Sequence, residues 1–169
     1  LHKSYGSRPL LDGVDLTLLR GERCGLVGVN GAGKSTLARV LAGIEPPDRG
    51  EVVRRRDAKI TYLAQRPDLG EANTAREAVR AGLAAWDVAR ARHEALSMAV
   101  AEDPSEERLA ELAEAGAELE RLGGWDRDHA VEATLTYLGV PDPDAPVAQL
   151  SGGERRRVAL ARLLVAAPD

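Results

Sequence analysis

The sequence has 169 residues, 44% of them hydrophobic and 30% charged, with a net charge of −4, one cysteine, one methionine and no phenylalanine. Such a balance suits one compact domain or most of one, and excludes collagen-like and disordered classes. No apolar run approaches the roughly 18 to 20 residues that cross a bilayer, and Leu1, His2, Lys3 and Ser4 make no leader segment, so the expectation is a soluble, cytoplasmic chain without membrane insertion.

In chain order, Val14, Leu16 and Leu18 alternate with Asp15 and Thr17, the period of a half-buried strand over 10–18. Gly21 turns the chain into Arg23 to Val27, a short apolar run of the kind covered on both faces of a sheet. That burial would also make Cys24 a buried, inert thiol. Gly28 to Gly33 follow, then a helix from Lys34 to Ala42 with Leu37, Val40 and Leu41 on one face and Gly43 as its cap. Pro46, Pro47, Asp48 and Gly50 predict a turn, and 51–54 and 60–64 two further strands, the second leading into Gln65.

The middle of the chain is Ala-rich and Glu-rich, and strongly acidic between two mildly basic ends. Thr74 and Glu77 are spaced as a capping box, with Val79, Leu83 and Trp86 continuing one helical face. Asp103, Pro104 and Glu106 repeat the start signal. Leu109, Leu112, Gly116, Leu119 and Leu122 recur at threes and fours, so two helices separated near Ala101 to Pro104 could pair as an antiparallel hairpin. Gly123 and Gly124 end the second, Trp125 to Leu138 predicts a third with Val131, Leu135 and Leu138 inward, and Pro141, Pro143 and Pro146 close the region as a loop.

Two glycine motifs carry the chemistry. Gly28-Val-Asn-Gly-Ala-Gly33-Lys34-Ser35 fits the phosphate-loop pattern G-x-x-x-x-G-K-[ST] at every fixed position, between a predicted strand and a helix. Glycines let consecutive backbone N–H groups converge on one anion, the helix adds its positive end, Lys34 reaches the outer phosphates, Ser35 offers its hydroxyl to Mg²⁺ and Thr36 meets an inner phosphate. The alternative is a purely structural glycine turn. Leu150-Ser151-Gly152-Gly153-Glu154 opens a last helix whose stripe is Val158, Ala161, Leu164 and Val165. Ser151 and Glu154 are spaced as a capping box, but glycine costs about 1 kcal/mol relative to alanine within a helix, so backbone approach to a ligand explains Gly152 and Gly153 better than capping does. Arg155 to Arg157, like Arg54 to Arg56, read as a solvated face or as contacts to an interface or to nucleic-acid phosphate.

With these residues in this order, the whole chain resembles the ATP-binding cassette (ABC) ATPases. Gly28 to Ser35 is similar to their Walker A loop, Leu150 to Glu154 to their signature motif, Gln65 to their Q-loop glutamine, and Tyr5 to the aromatic residue that stacks on adenine. The resemblance implies an α/β P-loop NTPase fold with a mixed sheet core and an inserted α-helical subdomain. It divides the chain into a nucleotide-binding core over 1–69, a helical region over 70–149 and the signature segment over 150–169. ATP would contact Tyr5, Asn30, Gly31, Ala32, Gly33, Lys34, Ser35 and Thr36; Mg²⁺ would contact Ser35 and Gln65; and Ser151, Gly152, Gly153 and Glu154 would meet the ATP of a partner cassette, in the same chain or in a dimer.

Gly-Val-Asn-Gly-Ala-Gly-Lys-Ser-Thr and Ser-Gly-Gly-Glu-Arg-Arg-Arg-Val-Ala-Leu-Ala-Arg resemble the ABC-F branch, and its Uup-like members in particular, whose two cassettes act on the ribosome as translation factors or in antibiotic resistance. The family's Walker B strand, with its magnesium-binding Asp, catalytic Glu and switch His, follows the signature helix. None of these lies before Pro168 and Asp169, and the sequence does not begin with Met. A first cassette belonging to a longer protein is therefore expected, with no catalytic residue inside 1–169. A transporter ATPase subunit and a nucleotide-dependent interaction module without turnover are the competing readings.

Overall fold

The computed structural model describes residues 1–56 and 58–166. It divides into two units, Leu1–Tyr62 and a second beginning at Leu63. In the first, β1 (Lys3–Tyr5) and β2 (Arg8–Leu11) pair antiparallel, Tyr5 opposite Arg8, across a two-residue turn in which Gly6 has φ 60°. A Gly-Ser pair between strands is a hairpin signal, and Tyr-Gly-Ser-Arg carries it; the alternating pattern further along drew the predicted strand toward residue 18 instead. The first helix, α1 (Lys34–Ala42), lies as expected, with Leu37 and Val40 buried beside Leu11. Gly43 ends it at φ 79°, its N–H donating to the Val40 carbonyl.

The segments 14–18, 23–27, 51–54 and 60–64 correct the prediction. They are in no strand among the described residues, and Leu18, Leu26, Val27 and Val53 are exposed. An apolar run specifies a strand only where a neighbour supplies the other half of its hydrogen bonds; Val14 exchanges backbone bonds with Leu1, but among the described residues no strand extends from that pair. Cys24 is accordingly exposed rather than buried.

The second unit is helical: α2 (Ala75–Arg80), α3 (Ala84–Glu102), α4 (Glu106–Arg121), α5 (Asp128–Tyr137) and α6 (Gly152–Val165), with 3-10 turns at Ala81–Leu83 and Val147–Gln149. Its core draws Val79, Leu83, Trp86, Leu119, Val131, Leu135, Val158 and Val165 from all five helices. The predicted pair exists as a helical hairpin, α3 packing on α4 across Asp103 to Ser105. Its second helix starts later than expected because Ser105, not Asp103, accepts a hydrogen bond from the Arg108 N–H as N-cap. The third predicted helix also starts late, at Asp128, because Gly123 and Gly124 both hold positive φ and Trp125 turns back to meet His93 edge-on at 4.8 Å. Trp86 is fixed by its indole N–H to the Gly124 carbonyl at 2.7 Å.

The proline loop does more than connect. The carbonyls of Ala145 and Pro143 accept from the N–H groups of Ala75 and Arg76, satisfying the first turn of α2 from a distant segment. Among the described residues no helix is long and apolar enough to cross a membrane.

Candidate nucleotide site and signature segment

The loop before α1 gets its shape from its glycines. Gly31 and Gly33 adopt φ 82° and 88°, and a Cβ on Gly33 would sit 2.9 Å from the Leu10 carbonyl oxygen of β2. The hairpin therefore packs against the loop so closely that only glycine fits. Lys34 folds its side chain back, its ammonium donating to the Gly28 carbonyl at 2.7 Å and the Val29 carbonyl at 2.8 Å. An ammonium has three donors, so one remains for an anion.

The first turn of α1 has no side-chain cap and no acidic residue. By contrast Thr74, Ser105 and Ser151 each cap their helices. The positive end of α1 and its free N–H groups thus suit an anion brought from outside. Asn30, Gly31, Ala32 and Ser35 are exposed, Gly33 and Lys34 half-buried, and Thr36 is 95% buried at the base of the loop.

Tyr5 ends β1 with its ring about half exposed. Its hydroxyl donates to Glu45 Oε2 at 2.5 Å, and Arg39 of α1 donates to Glu45 Oε1 at 2.6 Å and to the Tyr5 oxygen at 3.4 Å. The Tyr5 hydroxyl foremost, and Arg39 after it, hold the Glu45 carboxyl below the usual range; the same contacts raise Arg39. Neither Arg39 nor Glu45 belongs to a motif, and their only sequence signal is a base and an acid flanking a helix end.

Ser35 and Gln65 belong to different units and are described separately. Gln65 is exposed, and its backbone carbonyl accepts from Arg156 at 3.2 Å. As to whether the residues suit Mg²⁺, no group of three or more His, Cys, Asp or Glu side chains among the described residues could hold a metal. A serine hydroxyl with phosphate oxygens is a fitting set for this ion, which commonly binds together with its nucleotide.

Ser151 forms a full capping box at the start of α6, its hydroxyl accepting from the Glu154 N–H and its own N–H donating to the Glu154 carboxylate. The Ser151 side chain first, and its backbone N–H second, lower the Glu154 pKa by stabilising the carboxylate. A Cβ on Gly152 or Gly153 would meet nothing within 4 Å, so packing within the chain does not demand glycine at either position. The arginines divide. Arg155 donates to the Leu150 and Val147 carbonyls and Arg156 to Gln65, whereas Arg157 is exposed. Arg54 donates to the Val40 and Leu41 carbonyls and so covers the negative end of α1. Arg54 and Arg156 stay exposed while making these bonds, in keeping with a solvated face, whereas Arg155 is half-buried.

A glycine loop on an uncapped helix, followed by a serine-capped Ser-Gly-Gly-Glu helix, defines a nucleotide-binding cassette. The chain belongs to the ATP-binding cassette family, whose model, described as ABC transporter, matches residues 11–169 and brings with it the α/β P-loop NTPase fold. Its relatives include the energy-dependent translational throttle protein EttA, an ABC-F protein. EttA of Mycobacterium tuberculosis strain H37Rv is 37% identical over all of this chain and 30% of its own length. EttA of Escherichia coli strain K12 is 39% identical over 96% of this chain and 30% of its own length. A Bacillus subtilis relative, the uncharacterized ABC transporter ATP-binding protein YfmR, is 35% identical over all of this chain and 27% of its own length. The chain thus spans less than a third of each of these relatives.

Proposed function

We propose that this chain is the first nucleotide-binding cassette of an ABC-F type ATPase that uses ATP as a conformational switch on the ribosome in the cytoplasm. The carrying observation is the loop of Gly31 and Gly33 in left-handed conformation, delivering Lys34 and the uncapped first turn of α1 to one point. In this reading 1–69 is the nucleotide-binding core, 70–149 the inserted α-helical subdomain and 150–169 the signature segment. Asn30, Gly31, Ala32 and Gly33 wrap the phosphates with backbone N–H groups, Lys34 neutralises the outer ones, Thr36 meets an inner one, and the Tyr5 ring takes the adenine. Ser35 and Gln65 would hold Mg²⁺, which when bound neutralises charge on the phosphate oxygens. Ser151, Gly152, Gly153 and Glu154 would offer helix N–H groups to the γ-phosphate held by a second cassette. ATP bound by both halves favours the closed pair, and losing its γ-phosphate removes that differential binding.

The test is sedimentation of the full-length protein with ribosomes, with a non-hydrolysable ATP analogue and without nucleotide, beside ATPase assays. ATP-analogue-dependent co-sedimentation and ATPase activity abolished by Lys34→Ala are the expected results. No co-sedimentation in either condition would overturn the ribosomal role and favour a transporter subunit. Nucleotide binding without turnover would favour an interaction module.

A further inference from the structure

Tyr5 is not a free aromatic side chain. Its hydroxyl, both oxygens of Glu45 and the Arg39 guanidinium close a three-membered cluster, with bonds of 2.5, 2.6 and 3.4 Å. Each member comes from a different element: Tyr5 from the end of β1, Arg39 from α1, Glu45 from the turn after α1. The backbone repeats the link, because the Arg39 carbonyl accepts from the N–H groups of Ile44 and Glu45. Arg39 stands five residues beyond Lys34 on one helix, about 7.5 Å along its axis at the α-helical rise. Lys3, whose ammonium stands 6.0 Å from the Tyr5 ring centroid, is itself held by Asp48 and the Pro46 carbonyl.

Resting on the reading of Tyr5 as the adenine platform, we propose that Arg39 and Glu45 are positioning residues that fix the Tyr5 ring relative to the phosphate loop. The ring is tied at its hydroxyl to the helix whose first turn receives the phosphates. The distance and angle between base platform and phosphate cradle are then set before nucleotide arrives. Preorganisation of this kind spares the rotamer freedom an untied tyrosine would lose on binding, so its loss weakens only ligands that carry a base.

The test uses the full-length protein and calorimetric titration with two probes, ATP and inorganic tripolyphosphate. Tyr5→Phe keeps the ring and removes the tie, Glu45→Ala removes the bridge, and Tyr5→Leu removes the ring. Expected are about 3- to 10-fold weaker ATP binding for Tyr5→Phe and for Glu45→Ala, unchanged tripolyphosphate binding, and a double variant no weaker than the worse single one. Glu45→Gln, which still accepts from the hydroxyl, should recover part of the loss. ATP binding unchanged in Glu45→Ala but weakened in Tyr5→Leu would overturn the clamp while leaving the platform. Equal losses for both probes would make the cluster merely structural and overturn the proposal. Failure of the unaltered protein to bind either probe would overturn the nucleotide site itself, and this inference with it.

Discussion

Gly31 and Gly33 both sit in left-handed backbone, yet a methyl group would cost differently at each. On Gly31 it would meet nothing within 4 Å, so Gly31→Ala carries only the conformational cost, about 1 to 2 kcal/mol. On Gly33 it would also press on the Leu10 carbonyl at 2.9 Å and the Leu11 side chain at 3.3 Å, and backbone cannot swing away. Gly33→Ala should therefore destabilise by a further ~1 to 3 kcal/mol, read as the difference between the two variants in urea denaturation midpoints. Equal midpoints would mean that β2 does not hold the loop. Gly82 presents the same problem away from the site. Its Cβ would lie 2.3 Å from the Arg162 carbonyl oxygen, so α6 and the turn Ala81–Leu83 meet backbone to backbone. Gly82→Ala should push them apart at a cost of about 1 to 3 kcal/mol, measurable as a lowered thermal midpoint. The sequence announced Gly33 through its motif and gave no hint of Gly82, because that contact depends on a helix eighty residues away.

Among elements, the helices were legible and the strands were not, for one physical reason. A helix satisfies its own backbone and advertises its ends locally, as Ser151 with Glu154 and Gly43 do; a strand is completed by another segment, and the runs at 23–27 and 60–64 name no partner. The errors among helices have the same origin. The sequence puts the start signal at Asp103, whereas Ser105 accepts the capping hydrogen bond from the Arg108 N–H. The site divides likewise: the phosphate loop and signature were readable from spacing, whereas the Arg39–Glu45 tie on Tyr5 joins three elements. The Ser151 cap gives a test with a sign. A carboxyl whose pKa is lowered by folding adds stability above its unfolded value, about 4.5 for glutamate, and loses it as pH falls through the lower folded value. The start of α6 should hence stay capped at pH 4.5 and loosen only below it. Ser151→Ala removes the largest cause, so the Glu154 titration midpoint, followed by carboxyl carbon NMR, should rise toward 4.5. The same variant should lose about 1 kcal/mol of stability as a missing N-cap. An unmoved midpoint would show that Ser151 does not govern Glu154.

On the scale of the molecule, the two units are held by very different cores. The second locks Val79, Leu119, Leu135 and Val158 away from water across four helices. The first rests on Leu11, Leu37 and Val40 around a single helix, while Val27, Val29 and Val53 remain largely exposed. Local opening free energy follows buried apolar contact and paired backbone, so protection against amide exchange should follow the same division. In the 169-residue chain, amides near Leu135 and Val158 should exchange slowest, and those over 23–29 and 51–56 should exchange within the earliest time points. A nucleotide held by the loop adds N–H partners where α1 begins, so ATP with Mg²⁺ should slow exchange over 28–36 and leave α5 unchanged. Uniform slowing across both units would mean instead that nucleotide stabilises the chain as one cooperative body. No change over 28–36 would remove the phosphate loop from the account of binding.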